Sequence, residues 1–276
     1  MMTIMSEYSE YMKQARKEVE FCLDTWKEIF KDQYSETIEY AYSKGSATKK
    51  WESYIDYVPI LSDVDIHIKV KDHSNFFDDE TSFYESVNLS EMYETRFLEK
   101  NPKYFHIPRT QVIKLNKIIK EVNFIHPKES EIIKLIGKPV LENNPANEII
   151  KKYDLENLLA LEEYLPKLSM SMMDRTGLDL WAMLRRMTWR VAPSPIRLLS
   201  QKWEKPLDLW GLNRTKIAEE LENFDFYLVA ESYKDYYYEG WIAFLEDFTN
   251  SQTLRRLISA GFEVLRLCLE EARRLV

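Results

Sequence analysis

The chain has 276 residues, enough for one large domain or two ordinary ones, and 45% hydrophobic with 13% aromatic content excludes global disorder. Six Gly and ten Pro argue against an all-β, turn-rich fold, and the two cysteines, Cys22 and Cys268, form no Cys-x-x-Cys or Cys/His cluster of the kind that holds structural zinc. The net charge of −8 argues against affinity for long duplex nucleic acid. Met1 to Glu7 lacks a basic segment followed by an apolar run, and no stretch approaches the length of a membrane span. With so few cysteines, the expectation is a soluble cytoplasmic protein that makes no membrane contact.

Glu7 to Lys31 reads as a long helix. Tyr11, Ala15, Val19, Cys22, Trp26 and Phe30 recur at three- and four-residue steps with charges between them. Thr37 to Ser43 reads as a first strand, followed by Lys44-Gly45-Ser46 and by a helix-compatible run from Thr48 to Tyr57. Ser62 to Val70 alternates strictly: Val64, Ile66, Ile68 and Val70 on one face of a strand, Asp63, Asp65, His67 and Lys69 on the other. Two residues of strand rise set Asp63 and Asp65 about 7 Å apart on the same side. Two carboxylates so close repel unless a cation sits between them, and hard oxygen ligands of this kind suit Mg²⁺. A strand, a Gly-Ser turn and a helix point free backbone N–H groups at an anion.

Strand, Gly-Ser, helix, and a strand carrying Asp-x-Asp together resemble the nucleotidyltransferase superfamily that includes DNA polymerase beta, CCA-adding enzymes and antibiotic nucleotidyltransferases. The resemblance covers residues 37–70. It implies that Gly45 and Ser46 hold the triphosphate of an NTP such as ATP. It also implies that Asp63 and Asp65 bind Mg²⁺, two ions being possible, and that a third carboxylate comes from a later strand. The gap between Ser46 and Asp63 is longer than usual in that family; a longer helix and the loop around Pro59 take up the extra residues.

After Val70 comes an acidic connection, Lys71 to Glu80, with Asp72, Asp78, Asp79 and Glu80; it reads as a solvated loop. Thr81 to Lys100 reads as a helix with a possible break at Asn88-Leu89-Ser90, stopped by Asn101-Pro102. Arg109 to Leu115 reads as a strand, where the resemblance places its third carboxylate. The residue nearest that role is Gln111, whose amide cannot take a proton from an acceptor hydroxyl. Glu121 is the one nearby carboxylate able to substitute. Lys128 to Ile136 reads as a short helix ending at Gly137.

Glu142 to Asn147, polar and Asn-rich with a proline, reads as a linker. Everything beyond it reads helical, in segments near 148–165, 174–190, 195–203, 214–222, 227–249 and 252–274. Between Arg175 and Lys216 nine basic residues stand against three acidic ones, and the window holds Trp181, Trp189, Trp203 and Trp210. Two readings stand: arginines and indoles that grip phosphates and bases, or core tryptophans on helices with arginines in water. None of the four histidines, His67, His73, His106 and His126, lies in this half. The Arg…His motif of the helical ribonuclease toxins that accompany small nucleotidyltransferases is therefore absent.

The expected fold is α+β, with a mixed-sheet nucleotidyltransferase palm over residues 1–141 and an α-helical bundle over 142–276. The implied activity is transfer of a nucleoside monophosphate from an NTP to a hydroxyl of an RNA end, a protein or a small molecule. The alternative is a nucleotide-binding regulator of the same fold that has lost catalysis.

Overall fold

The computed structural model describes residues 2–72, 76–77, 80, 82–140, 144–174, 177 and 179–276. His73, Asp78, Asp79, Glu142, Asn143 and Arg175, which figured in the sequence reading, lie outside the described residues. The fold is α+β: a four-stranded mixed sheet with its helices, and a helical C-terminal region. It divides into two compact units, residues 1–49 with 62–144 and residues 50–61 with 145–276. Among the described residues no helix is long and apolar enough to cross a membrane.

The alternation in residues 64–70 decides the sheet. Val64, Ile66, Ile68 and Val70 are wholly buried, and β2 spans Val64–Val70. β1 (Ile38–Lys44) runs antiparallel to it, β3 (Thr110–Lys114) runs parallel on its other side, and the order is β3-β2-β1-β4. The parallel pairing needs a crossover. It contains α2 (Ser82–Lys100), unbroken at Asn88, which buries Leu89, Tyr93 and Phe97. α1 (Met2–Gln33) buries the expected stripe Ala15, Val19, Cys22, Trp26 and Phe30, and Trp26 stacks on Tyr93 at 5.3 Å between ring centroids.

The approach to β3 is anchored on one buried carboxylate. Glu18 of α1 accepts hydrogen bonds from the backbone N–H of Phe105 and of His106 (2.9 Å), and from Gln14 (3.0 Å), while His106 Nδ1 lies 2.5 Å from it. Burial alone would raise its pKa, but the bonds from His106, Phe105 and Gln14 outweigh burial and hold the carboxyl below its ordinary range. At the far end of the strands, α3 (Leu115–Ile118) is tied to β2: the Asn116 amide accepts from Val70 N–H and donates to Val70 C=O, at 2.9 and 2.8 Å.

Two elements correct the sequence reading. Residues 128–136 are not a helix: a 3-10 turn at Glu129–Glu131 leads into β4 (Ile133–Ile136), which pairs antiparallel with the free edge of β1. Ile132, Ile133 and Ile136 fit helical spacing, but as β-branched residues they favour a strand when an edge is open to them. Gly137 is therefore no helix cap. It lies at φ +65°, and a Cβ there would stand 2.2 Å from the Glu39 carbonyl oxygen, so only glycine lets the chain leave β4 so close to β1.

The helix expected over Thr48 to Tyr57 is also absent. The chain turns at Gly45, runs irregularly, and makes only a 3-10 turn at Tyr54–Asp56. This segment, 50–61, was counted with the sheet; it belongs to the helical unit. Ile55, Tyr57, Val58 and Leu61 are buried there. Asp56, itself buried, accepts from Glu52 N–H (2.6 Å), Ser53 N–H (3.0 Å), Thr215 N–H (2.8 Å) and the Thr215 hydroxyl (2.8 Å). Asn213 donates to Lys50 C=O at 3.0 Å, Arg214 to Ile55 C=O at 3.1 Å and the Trp241 indole to Tyr54 C=O at 2.7 Å. Backbone groups that a helix would have paired internally are satisfied by the helical unit instead.

That unit holds α4 (Asn147–Leu159), α5 (Leu161–Met173), α6 (Leu180–Val191), α7 (Ser194–Ser200), α8 (Pro206–Gly211), α9 (Arg214–Asn223), α10 (Tyr227–Leu245) and α11 (Ser251–Arg273). The sequence ran α4 into α5 and missed α8. Tyr236 and Tyr237 are wholly buried, as packing residues. Asn213 and Asn250 cap α9 and α11 through their side chains.

Candidate active site

The site is built on the polar face of β2, from neighbours that the register brings together. Lys44 of β1 pairs with Asp65 on one side, and Gln111 of β3 pairs with Asp65 on the other. Alternation puts Asp63 on the same face, one step before the strand begins, and both aspartates are half-buried. Ser43 Oγ donates to the Asp65 carbonyl at 2.7 Å and locks this register.

Beyond Lys44 the chain reverses. Gly45 sits at φ +102°, and its carbonyl accepts from Thr48 N–H (3.2 Å), Lys49 N–H (3.3 Å) and the Thr48 hydroxyl (3.1 Å). Arg16 of α1 clamps the far side of the turn, donating to Ala47 C=O at 2.7 Å and to Lys49 C=O. Ser46 lies inside this clamped turn. Nothing in the sequence pointed to Arg16, because a carbonyl acceptor carries no residue signature.

Burial pushes the Lys44 ammonium below its ordinary pKa, while Asp65 and Glu131 pull it back up. Its Nζ lies 5.5 Å from the Phe124 ring centroid. Glu131 was missed because the sequence placed it in a helix; the pairing of β4 with β1 brings it near Lys44. Beneath the polar residues, Tyr40 and Tyr42 pack with Leu115, Ile119, Phe124 and Ile132. His67 stacks on Tyr42 at 5.3 Å with the rings 5° from parallel. Burial, and then the Lys44 charge, depress its pKa to about 3, so the imidazole is neutral at pH 7 and no general acid there.

The position expected to supply a third acid is filled in place by Gln111. Glu121 is exposed in the turn after α3, off the strand. Among the described residues, no three Asp, Glu, His or Cys side chains gather as metal ligands. Two carboxylates with an amide oxygen on the next strand still suit Mg²⁺, which keeps several waters and takes the rest of its ligands from phosphates.

The basic window of the helical unit is partly consumed by structure. Arg197 pairs with buried Asp154 at 3.7 Å; burial raises the Asp154 carboxyl to about 6, with Ser200, Arg197 and Trp210 pulling the other way. Arg214 lies 4.1 Å over the Tyr237 ring and holds the 50–61 segment. Lys216 pairs with Glu219 and Glu52.

Set against the models of known families, the curated proteins and the solved structures, the chain matches none.

Proposed function

We propose that this chain is a Mg²⁺-dependent nucleotidyltransferase whose sheet unit is the palm of that superfamily. One observation carries the reading: Lys44, Asp65 and Gln111 stand side by side on three adjacent strands, with the Gly45-Ser46 turn directly after Lys44. Gly45 lets the backbone approach phosphate oxygens, Ser46 donates to them, and Asp63 and Asp65 hold Mg²⁺. The bound ion supplies the positive charge that stabilises developing negative charge on the phosphates. In the reaction an acceptor hydroxyl oxygen bonds to the α-phosphorus and the α–β bridging bond breaks. Pyrophosphate leaves with that electron pair, and the hydroxyl proton passes to solvent. The acceptor is an RNA end, a protein or a small molecule, in the cytoplasm.

Gln111 favours a second reading. The position in register with Asp65 holds an amide, which cannot accept the hydroxyl proton, and this suits a nucleotide-binding regulator without turnover. Incubation with Mg²⁺ and each α-labelled NTP, with and without cellular RNA, separates the two. Pyrophosphate and a labelled product support transfer; saturable NTP binding with no pyrophosphate supports the regulator.

A further inference from the structure

The outer face of α6 is unlike the rest of the surface. Its charged residues are Arg185, Arg186 and Arg190, with no acid between Leu180 and Val191. Several other arginines meet carboxylates, as in Arg96–Asp32 (2.8 Å) and Arg256–Glu239 (3.1 Å). Among the described residues, none of the three α6 arginines is in an ion pair. Two of them lie over aromatic rings instead: Arg185 at 5.8 Å from the Trp189 centroid, and half-buried Arg190 at 3.9 Å from that of Tyr164, where it also donates to the Arg186 carbonyl at 3.2 Å.

The indoles are equally unusual. Leu180, Met183, Leu184, Met187 and Val191 supply the buried side of α6; Trp189 is 52% exposed, and Trp181, 42% exposed, packs on Phe248 at 4.6 Å between ring centroids and leaves the rest of its ring open. Trp181, Arg185 and Trp189 follow at four-residue steps on one side of the helix, each step rising about 6 Å and turning about 40°.

We propose that this face binds single-stranded nucleic acid, with bases stacked on Trp181 and Trp189 and phosphates held by Arg185, Arg186 and Arg190. A purely apolar partner has no use for three guanidinium groups that meet no carboxylate, and an acidic peptide has no use for two part-exposed indoles. A chain of alternating flat rings and phosphates uses both. The two indoles stand about 12 Å apart along the helix, well beyond the ~3.4 Å rise per nucleotide in a stacked duplex strand, so the bases that reach them must be unstacked. A chain of net charge −8 also disfavours long duplex. The proposal does not depend on nucleotide transfer at the sheet.

The test is fluorescence anisotropy of a labelled single-stranded RNA of about a dozen nucleotides, titrated with the full chain over a range of salt. Duplex of the same length, polyglutamate and phosphatidylserine vesicles serve as competitors. Single strand should bind best and quench the tryptophan emission. Trp189→Ala should weaken binding about tenfold, and Trp189→Phe, which keeps a ring, should restore most of it. Arg185→Gln/Arg186→Gln/Arg190→Gln should flatten the logarithmic salt slope by about 2. Asp65→Asn should bind RNA as the parent does, which separates this surface from the sheet site. Absence of RNA binding, or the parent's affinity and slope in folded variants, overturns the proposal. Vesicles or polyglutamate that bind more tightly than RNA, and lose affinity in the same variants, overturn it in favour of a membrane or an acidic protein.

Discussion

The Gly45 backbone lies against the Asp65 carboxylate: a Cβ on Gly45 would stand 2.8 Å from Asp65 Oδ2. The first motif of the candidate site is thus shaped around the second. Gly45→Ala should cost about 1–3 kcal/mol, from a positive φ and from this contact together. In an Asp65→Ala background the contact component disappears and the φ component stays. A double-mutant cycle in urea should therefore show coupling between the two sites, and strict additivity would mean that the carboxylate simply moves aside.

Asp63→Asn and Asp65→Asn should both abolish Mg²⁺-dependent NTP binding, measured by calorimetric titration. Their effects on stability should differ. Loss of the Asp65 charge leaves the Lys44 ammonium with less compensation and is destabilising; loss of the Asp63 charge relieves repulsion and is near neutral. Unchanged Mg²⁺-NTP affinity in both variants would remove the metal assignment.

Gln111→Glu places a third carboxylate in register with Asp65. If the site is a nucleotidyltransferase centre, this change should tighten Mg²⁺ binding and raise pyrophosphate release from NTP. A variant with the same Mg²⁺ affinity and turnover as the parent would show that position 111 does not face the metal.

Acid should unfold the sheet unit in two stages. His67 has a folded pKa near 3 against an ordinary 6.5, so the unfolded chain takes up its proton first, and stability falls as pH drops from about 6.5 toward 3. Glu18 is held below its ordinary 4.5, so its contribution is present above 4.5 and is lost as pH falls through its lower folded value. His67→Phe keeps a ring on Tyr42 and should flatten urea midpoints between pH 6.5 and 4.5 while leaving the steeper loss below. Glu18→Ala should cost about 3 kcal/mol at pH 7 by orphaning the N–H groups of Phe105 and His106. A His67→Phe profile parallel to the parent's would mean that His67 is hydrated in the folded state.

β2 was legible in the sequence because its two faces differ at every residue, so strand type, register face and the aspartate pair follow from one pattern. Gln111 was legible only through the resemblance, which expects a site residue on that strand; the faces of β3 themselves show no such contrast. β4 was not, because Ile132, Ile133 and Ile136 satisfy a helical period as well as a strand, and the free edge of β1 decides between them. Trp51, Tyr54, Ile55 and Val58 likewise recur at helical steps, yet Asp56 meets Thr215, 159 residues away, and holds the backbone open. Arg16 and Glu131 reach the site through tertiary contacts that have no local signature.

The 50–61 segment bears on how the chain is made. Tyr54 C=O meets the Trp241 indole 187 residues later, and Asp56 waits for Thr215. On the ribosome, β1 through β4 are complete once Gly137 has emerged, while Ile55, Tyr57 and Val58 stay bare until α9 and α10 are synthesised. A gene fragment ending at residue 144 keeps those side chains and loses their cover. One starting at 145 keeps the Arg214 guanidinium and loses the Ile55 carbonyl that receives it. A cut between residues 144 and 145 therefore parts the 50–61 segment from the unit that covers it.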